Sequence, residues 1–384
     1  MELTYPGKKS EEDILKYTSN KHFSIPFSNN NSLIYGDNFD VLSLLLHNCN
    51  LKGKVDLIYI DPPFATNGVF TIGKDRASTI SSSSKDDVDY TDTLVGENFL
   101  EFLRERLILA RELLSDNGSI YLHIDYKIGH YVKIIMDEIF GQENFKNDIT
   151  RIKCNPKNFS RTAYGNIKDL ILFYSKTKEP IWNEPYIPYS EDDIAKLYKK
   201  VDEDGRAYTT VPLHAPGETK DGVTGGKFKG MNPPKGRHWR TSPAELEKLD
   251  KEGLIEWSAN GVPRRKIFAE EQKGKKMQDI WDFKDYQYPT YPTEKNIELL
   301  KHIVRTSSNT ESIVMDFFCG SGTTLAAAHE LGRKWIGIDQ SSKAIEVAKE
   351  RIGKLQDNLF STCKYDFIEL VDNIESQERI AINQ

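Results

Sequence analysis

Apolar residues along this chain gather in two kinds of run, and the two kinds alternate. Short, almost unbroken runs read as strands buried on both faces. Longer stretches with apolar residues three and four apart read as helices that pack on them. Ser32-Leu33-Ile34-Tyr35 is the first such strand and leads through Gly36 to Asp37. Val41, Leu42, Leu44, Leu45 and Leu46 then predict a helix, and Val55 to Ile60, with only Asp56 polar, a second strand. Phe99, Phe102, Leu103, Leu107, Leu109, Ala110, Leu113 and Leu114 mark a long amphipathic helix, ended by Asn117-Gly118. Ser119 to Asp125 returns as a strand, Tyr131 to Phe140 is a helix stopped by Gly141, and Ile149–Lys153 with Leu170–Tyr174 form a candidate hairpin. After a long gap the alternation resumes. A helix runs through Leu299, Leu300, Ile303 and Val304, then come a strand to Asp316, a helix from Leu325 to Leu331, a strand from Trp335 to Asp339 and a helix from Ala344 to Ile352. This pattern predicts an α/β fold, a mostly parallel sheet with helices on both faces.

The stretches outside the pattern divide the chain. Residues 1–30 are polar, with little periodicity beyond Ile14 and Leu15, and are expected to be an arm with one short helix at most. Residues 31–178 form one half of the core and 278–384 the other. Between them, 179–277 differs in character: Trp182, Tyr186, Tyr189, Trp239 and Trp257 are spread among Gly, Pro and basic residues, with one short helix near Ala244–Leu254. Ala65 to Gly96 holds Ser81-Ser82-Ser83-Ser84 and Asp86-Asp87 and lacks a core pattern, so it reads as a lid or an unstructured loop. The tail has one apolar patch, Tyr365 to Val371, with no role the pattern reveals.

Composition changes this picture at one point. The 384 residues are 38% hydrophobic and 29% charged, ordinary for a soluble protein, and contain neither a membrane-length apolar run nor a signal-peptide pattern. Cys49, Cys154, Cys319 and Cys363 are scattered without paired metal spacing, which favours a reducing cytoplasm and no structural zinc. The net charge of -6 hides a basic segment. Arg206 to Gln278 carries 15 Lys+Arg against 9 Asp+Glu, so +6, leaving -12 for the rest. Its cations form groups: Lys227, Lys229, Lys235, Arg237, His238 and Arg240; then Arg264, Arg265 and Lys266; then Lys273, Lys275 and Lys276. Cations among aromatics suit phosphate contacts and base stacking; the bland alternative is a solvated insertion.

Two stretches carry candidate chemistry. Asp61-Pro62-Pro63-Phe64 follows a buried strand; the prolines stop it and stiffen the turn, presenting Asp61 at the strand's carboxyl end. Asp316-Phe317-Phe318-Cys319-Gly320-Ser321-Gly322-Thr323-Thr324 reads as strand, glycine turn and helix, with the threonines as candidate helix caps. The next strand ends in Asp339. A glycine turn followed by a strand-end acid suits an adenosine group, the acid accepting from ribose hydroxyls. His123 and Asp125 lie near another strand end, where structural support or substrate contact is favoured over a catalytic pair.

These stretches resemble S-adenosylmethionine-dependent DNA amino-methyltransferases. Asp61-Pro62-Pro63-Phe64 is similar to their Asp-Pro-Pro-Tyr/Phe catalytic motif, and Asp316 to Thr323 to their cofactor loop. The catalytic motif comes first, the order of the β group, which includes type III modification subunits. Similarity runs from about Leu33 to Tyr174 and from Ile280 to Ile352. The resemblance implies a circularly permuted Rossmann-like methyltransferase sheet with a target-recognition domain inserted at 179–277. It implies adenine N6 methylation of duplex DNA after base flipping, with Asp61 and the Pro62 carbonyl accepting from the amino group, Pro63 stiffening the turn and Phe64 stacking on the base. N4-cytosine methylation is the alternative, though that branch more often has Ser where this chain has Asp61; a non-catalytic DNA-binding subunit is another. Expected cofactor residues are Asp37 (equally a helix cap), Asp61, Thr293 (equally a cap) and Lys295 of Pro292-Thr293-Glu294-Lys295, with Asp316, Phe317, Cys319, Gly320, Gly322, Thr323, Thr324 and Asp339. Lys227, Lys229, Arg237, Arg240, Arg264, Arg265 and Lys266 are the expected DNA contacts, and the Ala65–Gly96 loop is expected to order on DNA. Partners implied are duplex DNA at the nucleoid, a restriction subunit and a second copy of the chain.

Overall fold

The computed structural model describes residues 2–28, 30–63, 69–73, 76–78, 87–91, 96–156, 162–219, 222–287, 294–358 and 361–372. The chain forms two compact units, one from Met1–Pro185 with Gln278–Gln384 and the other from Tyr186–Met277.

The first unit is built on a ten-stranded sheet. In chain order its strands are β1 (Lys21–Phe23), β2 (Ser32–Tyr35), β3 (Val55–Ile60), β4 (Leu114–Ile124), β5 (Phe145–Ile152), β6 (Lys168–Ser175), β7 (Ile280–Asp282), β8 (Ile313–Asp316), β9 (Lys334–Asp339) and β10 (Asp366–Asp372). Across the sheet the order is β1-β10-β2-β9-β8-β3-β4-β6-β5-β7. From β10 to β4 every neighbouring pair is parallel. β6 opposes both β4 and β5, β7 runs with β5, and β1 opposes β10, so all strands but β1 and β6 point one way. The strands from late in the chain, β9 and β8, lie between β2 and β3: this is the permuted order. β3 is buried on both faces, as its unbroken apolar run requires. Its one polar residue, Asp56, accepts from the Ser115 hydroxyl at 2.9 Å and the Ile313 N–H at 3.3 Å, and so pins the strand to its surroundings.

From β3 the chain crosses through the Glu97–Leu113 helix to β4; from β8 it crosses through the Thr323–Glu330 helix to β9, on the opposite side. β3 and β8 are neighbours, with Leu57 facing Val314 and Ile58 facing Met315. Winding therefore reverses between them, and their carboxyl ends flank the crevice where open α/β sheets bind ligands.

Three expectations change here. Residues 2–28 are built into the first unit rather than forming an arm. Ser10 caps the Glu11–Lys16 helix, Ile14 is buried at 1% exposure, and β1 edges the sheet. The segment is held by polar partners, Tyr5 on Glu101 at 2.6 Å and the Lys9 carbonyl on Arg104 at 2.9 Å, which leave no apolar periodicity to read. The tail patch Tyr365–Val371 becomes β10, parallel to β2. Within Ala65–Gly96, Val69–Gly73, Arg76–Ser78 and Asp87–Thr91 form a three-stranded antiparallel sheet.

The second unit has a four-stranded antiparallel sheet in the order Lys200–Val201, Ala207–Pro212, Pro263–Phe268, Ile255–Trp257. Leu213, Phe228, Trp239, Leu246, Leu249 and Ile255 make its core. Trp239 is thus a packing residue rather than a stacking platform; its indole N–H is spent on the Gly226 carbonyl at 2.8 Å. Trp182 belongs to the first unit and stacks on Phe173.

Candidate active site

Asp61 leaves the end of β3 into the crevice. One carboxylate oxygen, Oδ2, forms an ion pair with Lys295, which is itself 9% exposed. The other, Oδ1, is buried and has no hydrogen-bond partner among the described residues. A buried acceptor left open costs about 1–3 kcal/mol, so Oδ1 has acceptor capacity to spare. Pro62 is buried beside it. Lys295 comes from the segment before the Ile297–Ser307 helix, whose cap is Asn296, accepting from the Glu298 N–H at 2.9 Å. Phe64 and Thr293 lie outside the described residues.

The glycine turn after β8 is shaped from beneath. Asp316, 3% exposed, accepts from the Phe318 N–H at 3.0 Å and the Thr324 hydroxyl at 2.6 Å. Burial pushes its carboxyl up to about 7; those two bonds offset part of the rise, and the charges of Asp61 and Asp339 add to it. Phe317 is fully buried and its carbonyl accepts from Asn38 at 2.7 Å. Burial raises the Cys319 thiol well above its usual range. Asp316, Phe317 and Cys319, expected at the cofactor, have buried side chains beneath the turn.

The expected threonine caps are also corrected. The helix starts at Thr323, and its cap position is Gly322 at φ 75°, with no side-chain capping bond. Thr324 reaches back to Asp316, and Thr323 accepts from Arg351 at 2.9 Å. Gly320 has φ 48° and donates its N–H to Asp339 at 2.8 Å; the other Asp339 oxygen takes the Ser341 N–H at 2.9 Å. Asp339 thereby ties the end of β9 to the turn. Asp37 caps the Asn38–His47 helix through the N–H groups of Phe39 and Asp40, and its second oxygen meets Arg106 at 3.1 Å, so the capping alternative is realised.

Sequence reasoning missed a buried network under Asp61. His123 pairs with Asp169 at 3.2 Å and with the Tyr59 hydroxyl at 2.9 Å, not with Asp125, which accepts from the Lys127 N–H at 2.7 Å. Burial holds His123 below the usual imidazole range, although Asp169 works against it. Burial would raise Asp169, but His123 and Lys153 hold it well below the carboxylate range. A His and an Asp far apart in sequence give no local signal for such a pair.

In the second unit the expected DNA contacts separate. Lys229 is ion-paired with Asp250, and Lys266 lies 5.3 Å from the Tyr208 ring centre. Lys227 and Arg265 are exposed. Arg237, Arg240 and Arg264 hydrogen-bond to His214, Pro212 and Thr210 respectively. Among the described residues no group of three or more metal-ligating side chains comes together, and no helix is long and apolar enough to cross a membrane.

The winding reversal brings together a strand-end acid with an open oxygen and a glycine turn, on a sheet of the open α/β type. The chain belongs to the DNA methylase family, N6_N4_Mtase, whose sequence model matches residues 55–350. It is 43% identical over 360 residues to the type II methyltransferase M.EcaI of Enterobacter cloacae, covering 91% of this chain and 77% of that protein. It is 29% identical over 391 residues to the type III restriction-modification enzyme StyLTI Mod subunit of Salmonella typhimurium, covering 90% of this chain but only 58% of that longer protein. Among solved structures, the M1.HpyAVI–SAM complex aligns over 84% of this chain and 100% of that one, at 18% identity and a TM-score of 0.46. PvuII DNA methyltransferase, cytosine-N4-specific, aligns over 86% and 88% at 15% identity and 0.43.

Proposed function

We propose that this DNA methyltransferase transfers a methyl group from S-adenosylmethionine to the N6 amino group of adenine in duplex DNA. The open, buried Oδ1 of Asp61 carries this reading. The residues present suit the cofactor: the positive-φ glycines Gly320 and Gly322 would let the backbone approach it, and Asp339, fixed on the turn, would accept from ribose hydroxyls with its remaining lone pairs. When bound, the cofactor supplies an electrophilic methyl group on a sulfonium. The protein's part is to make an amino nitrogen accept it. That nitrogen is a poor nucleophile because its lone pair is delocalised into the ring. Asp61 Oδ1 and the Pro62 carbonyl accept its two hydrogens and bias it toward a tetrahedral nitrogen. Lys295 holds the other Asp61 oxygen, so the carboxylate cannot swing away. Phe64 stacks on the flipped base.

An aspartate here, where N4-cytosine enzymes of the family more often have serine, favours adenine. The similarity to a type II methyltransferase over 91% of this chain and 77% of that protein favours a modification enzyme whose restriction partner is a separate protein acting on the same sites in the bacterial cytoplasm. Residues 179–277 carry sequence recognition. Digestion of DNA from an expressing host, followed by mass spectrometry, tests the product: N6-methyladenine is expected, and N4-methylcytosine as sole product refutes the adenine assignment.

A further inference from the structure

Residues from separate stretches of the second unit converge on residues 210–214. Arg264 lies opposite Pro212 in the sheet and donates from Nε to the Thr210 hydroxyl at 2.9 Å and from Nη2 to the Thr210 carbonyl at 2.8 Å. Arg240 donates from Nε to the Pro212 carbonyl at 3.2 Å and from its backbone to the Leu213 carbonyl at 2.8 Å. Arg237 places Nη1 3.2 Å from His214 Nδ1. Three guanidinium groups are thus braced on Thr210, Pro212 and His214, three alternate residues of one stretch.

None of the three meets a carboxylate among the described residues, whereas other cations of the unit do: Lys200 has Glu256, Arg206 has Asp202, Lys229 has Asp250 and Lys275 has Asp193. The acids nearest in the fold are already committed. Glu256 lies opposite Arg264 in register but serves Lys200 and the Tyr208 hydroxyl, and Glu218 accepts from the Gly236 N–H. His214 registers the uncompensated charge: burial first, then Arg237, Arg240 and Arg264, hold it below the usual imidazole range. Arg237 and Arg240 are exposed. The Nη groups of Arg240 make no hydrogen bond among the described residues and present a planar fork suited to a pair of acceptors.

We propose that Arg237, Arg240 and Arg264 form one DNA-docking site, completed by hydrogen-bond acceptors of the duplex, from backbone phosphates or from the O6/N7 edge of guanine. This rests on the DNA methyltransferase reading and narrows seven candidate cations to three. Like charges gathered without a counter-ion make a site that an anion completes, and Arg is the residue that meets both acceptors bidentately.

The test uses the full chain and a fluorescein-labelled duplex of random sequence, titrated by anisotropy over a salt series. Cofactor affinity is measured by calorimetry, and methylated sites are read by sequencing host DNA. R237Q/R240Q alters only exposed side chains and is the primary variant; R264Q, which also unties two strands, is secondary. We expect R237Q/R240Q to bind the duplex at least about tenfold more weakly, with cofactor affinity unchanged and K229Q binding like wild type. If phosphates fill the site, the log–log salt slope falls by about 0.9 for each phosphate no longer neutralised, the loss is equal on every duplex, and R237K/R240K restores binding. If guanine fills it, lysine does not restore binding and discrimination fails at one position of the methylated site. A wild-type salt slope with wild-type sites in R237Q/R240Q overturns the proposal, as does an equal loss in K229Q. A wild-type protein that methylates no DNA refutes the underlying reading instead.

Discussion

Asp61 has one oxygen held and one open, and the two make different predictions. Asp61→Ala removes the open acceptor; methyl transfer should disappear while the circular dichroism spectrum persists. Activity near wild type would place the chemistry elsewhere. Lys295→Met removes the holder. The carboxylate loses its orientation, so kcat/KM should fall about 10- to 100-fold, the worth of one hydrogen bond to a charged group, with DNA affinity unchanged. Asp316 gives a prediction in pH. Its folded value of about 7 lies above the unfolded carboxyl value of about 3.9, so the folded protein holds this proton more tightly. The group's contribution is complete below about pH 4 and is lost as pH rises toward about 7, up to about 4 kcal/mol in all. Asp316→Asn should erase that slope. Urea melts across this range should show the variant gaining on wild type as pH rises, and parallel profiles would exclude the buried proton.

Elements built from local pattern were legible, and those built from distant partners were not. β3, β8 and β9 announce themselves because a strand covered on both faces must be apolar at every position. The turn after β8 was legible as a glycine turn, yet its capping was misread. Threonines look like caps from sequence, but Thr324 finds Asp316 eight residues back, and Gly322 takes the cap position because its φ of 75° suits only glycine cheaply. The ion pair of Asp61 with Lys295 spans 234 residues and has no local signature. Likewise Arg264 reads as one member of a basic run until the sheet sets it opposite Pro212. Gly322→Ala tests the turn. A Cβ there would stand 3.3 Å from the Ala348 Cβ on top of the left-handed backbone cost. The expected loss is about 1–2 kcal/mol of stability, with weaker cofactor binding by calorimetry. Unchanged affinity would mean the cofactor does not use this turn.

At the scale of the molecule, the proposed division of recognition and catalysis between the two compact units makes a prediction. Exchanging residues 179–277 for those of a relative with another recognition sequence should carry specificity with the segment; a chimera that keeps the original site would return recognition to the core. Residues 1–24 make the opposite prediction. Deleting them removes buried Ile14 and all of β1, worth about 1.5–3 kcal/mol for the isoleucine alone. The melting temperature should drop by several degrees, at roughly 2–4 °C per kcal/mol, while the pattern of methylated sites stays the same.

β2 sits between β9 and β10, with Tyr35 facing Asp339 on one side and Glu369 on the other. Both neighbours are made some three hundred residues after it. At about 5–20 residues per second, a ribosome leaves Leu33 and Ile34, fully buried in the finished protein, without their strand partners for about 15–60 s. The enzyme's earliest core strand is therefore among the last to be closed. A nascent chain stalled anywhere before β9 displays a bare apolar strand, a ready client for chaperones and a template for self-association.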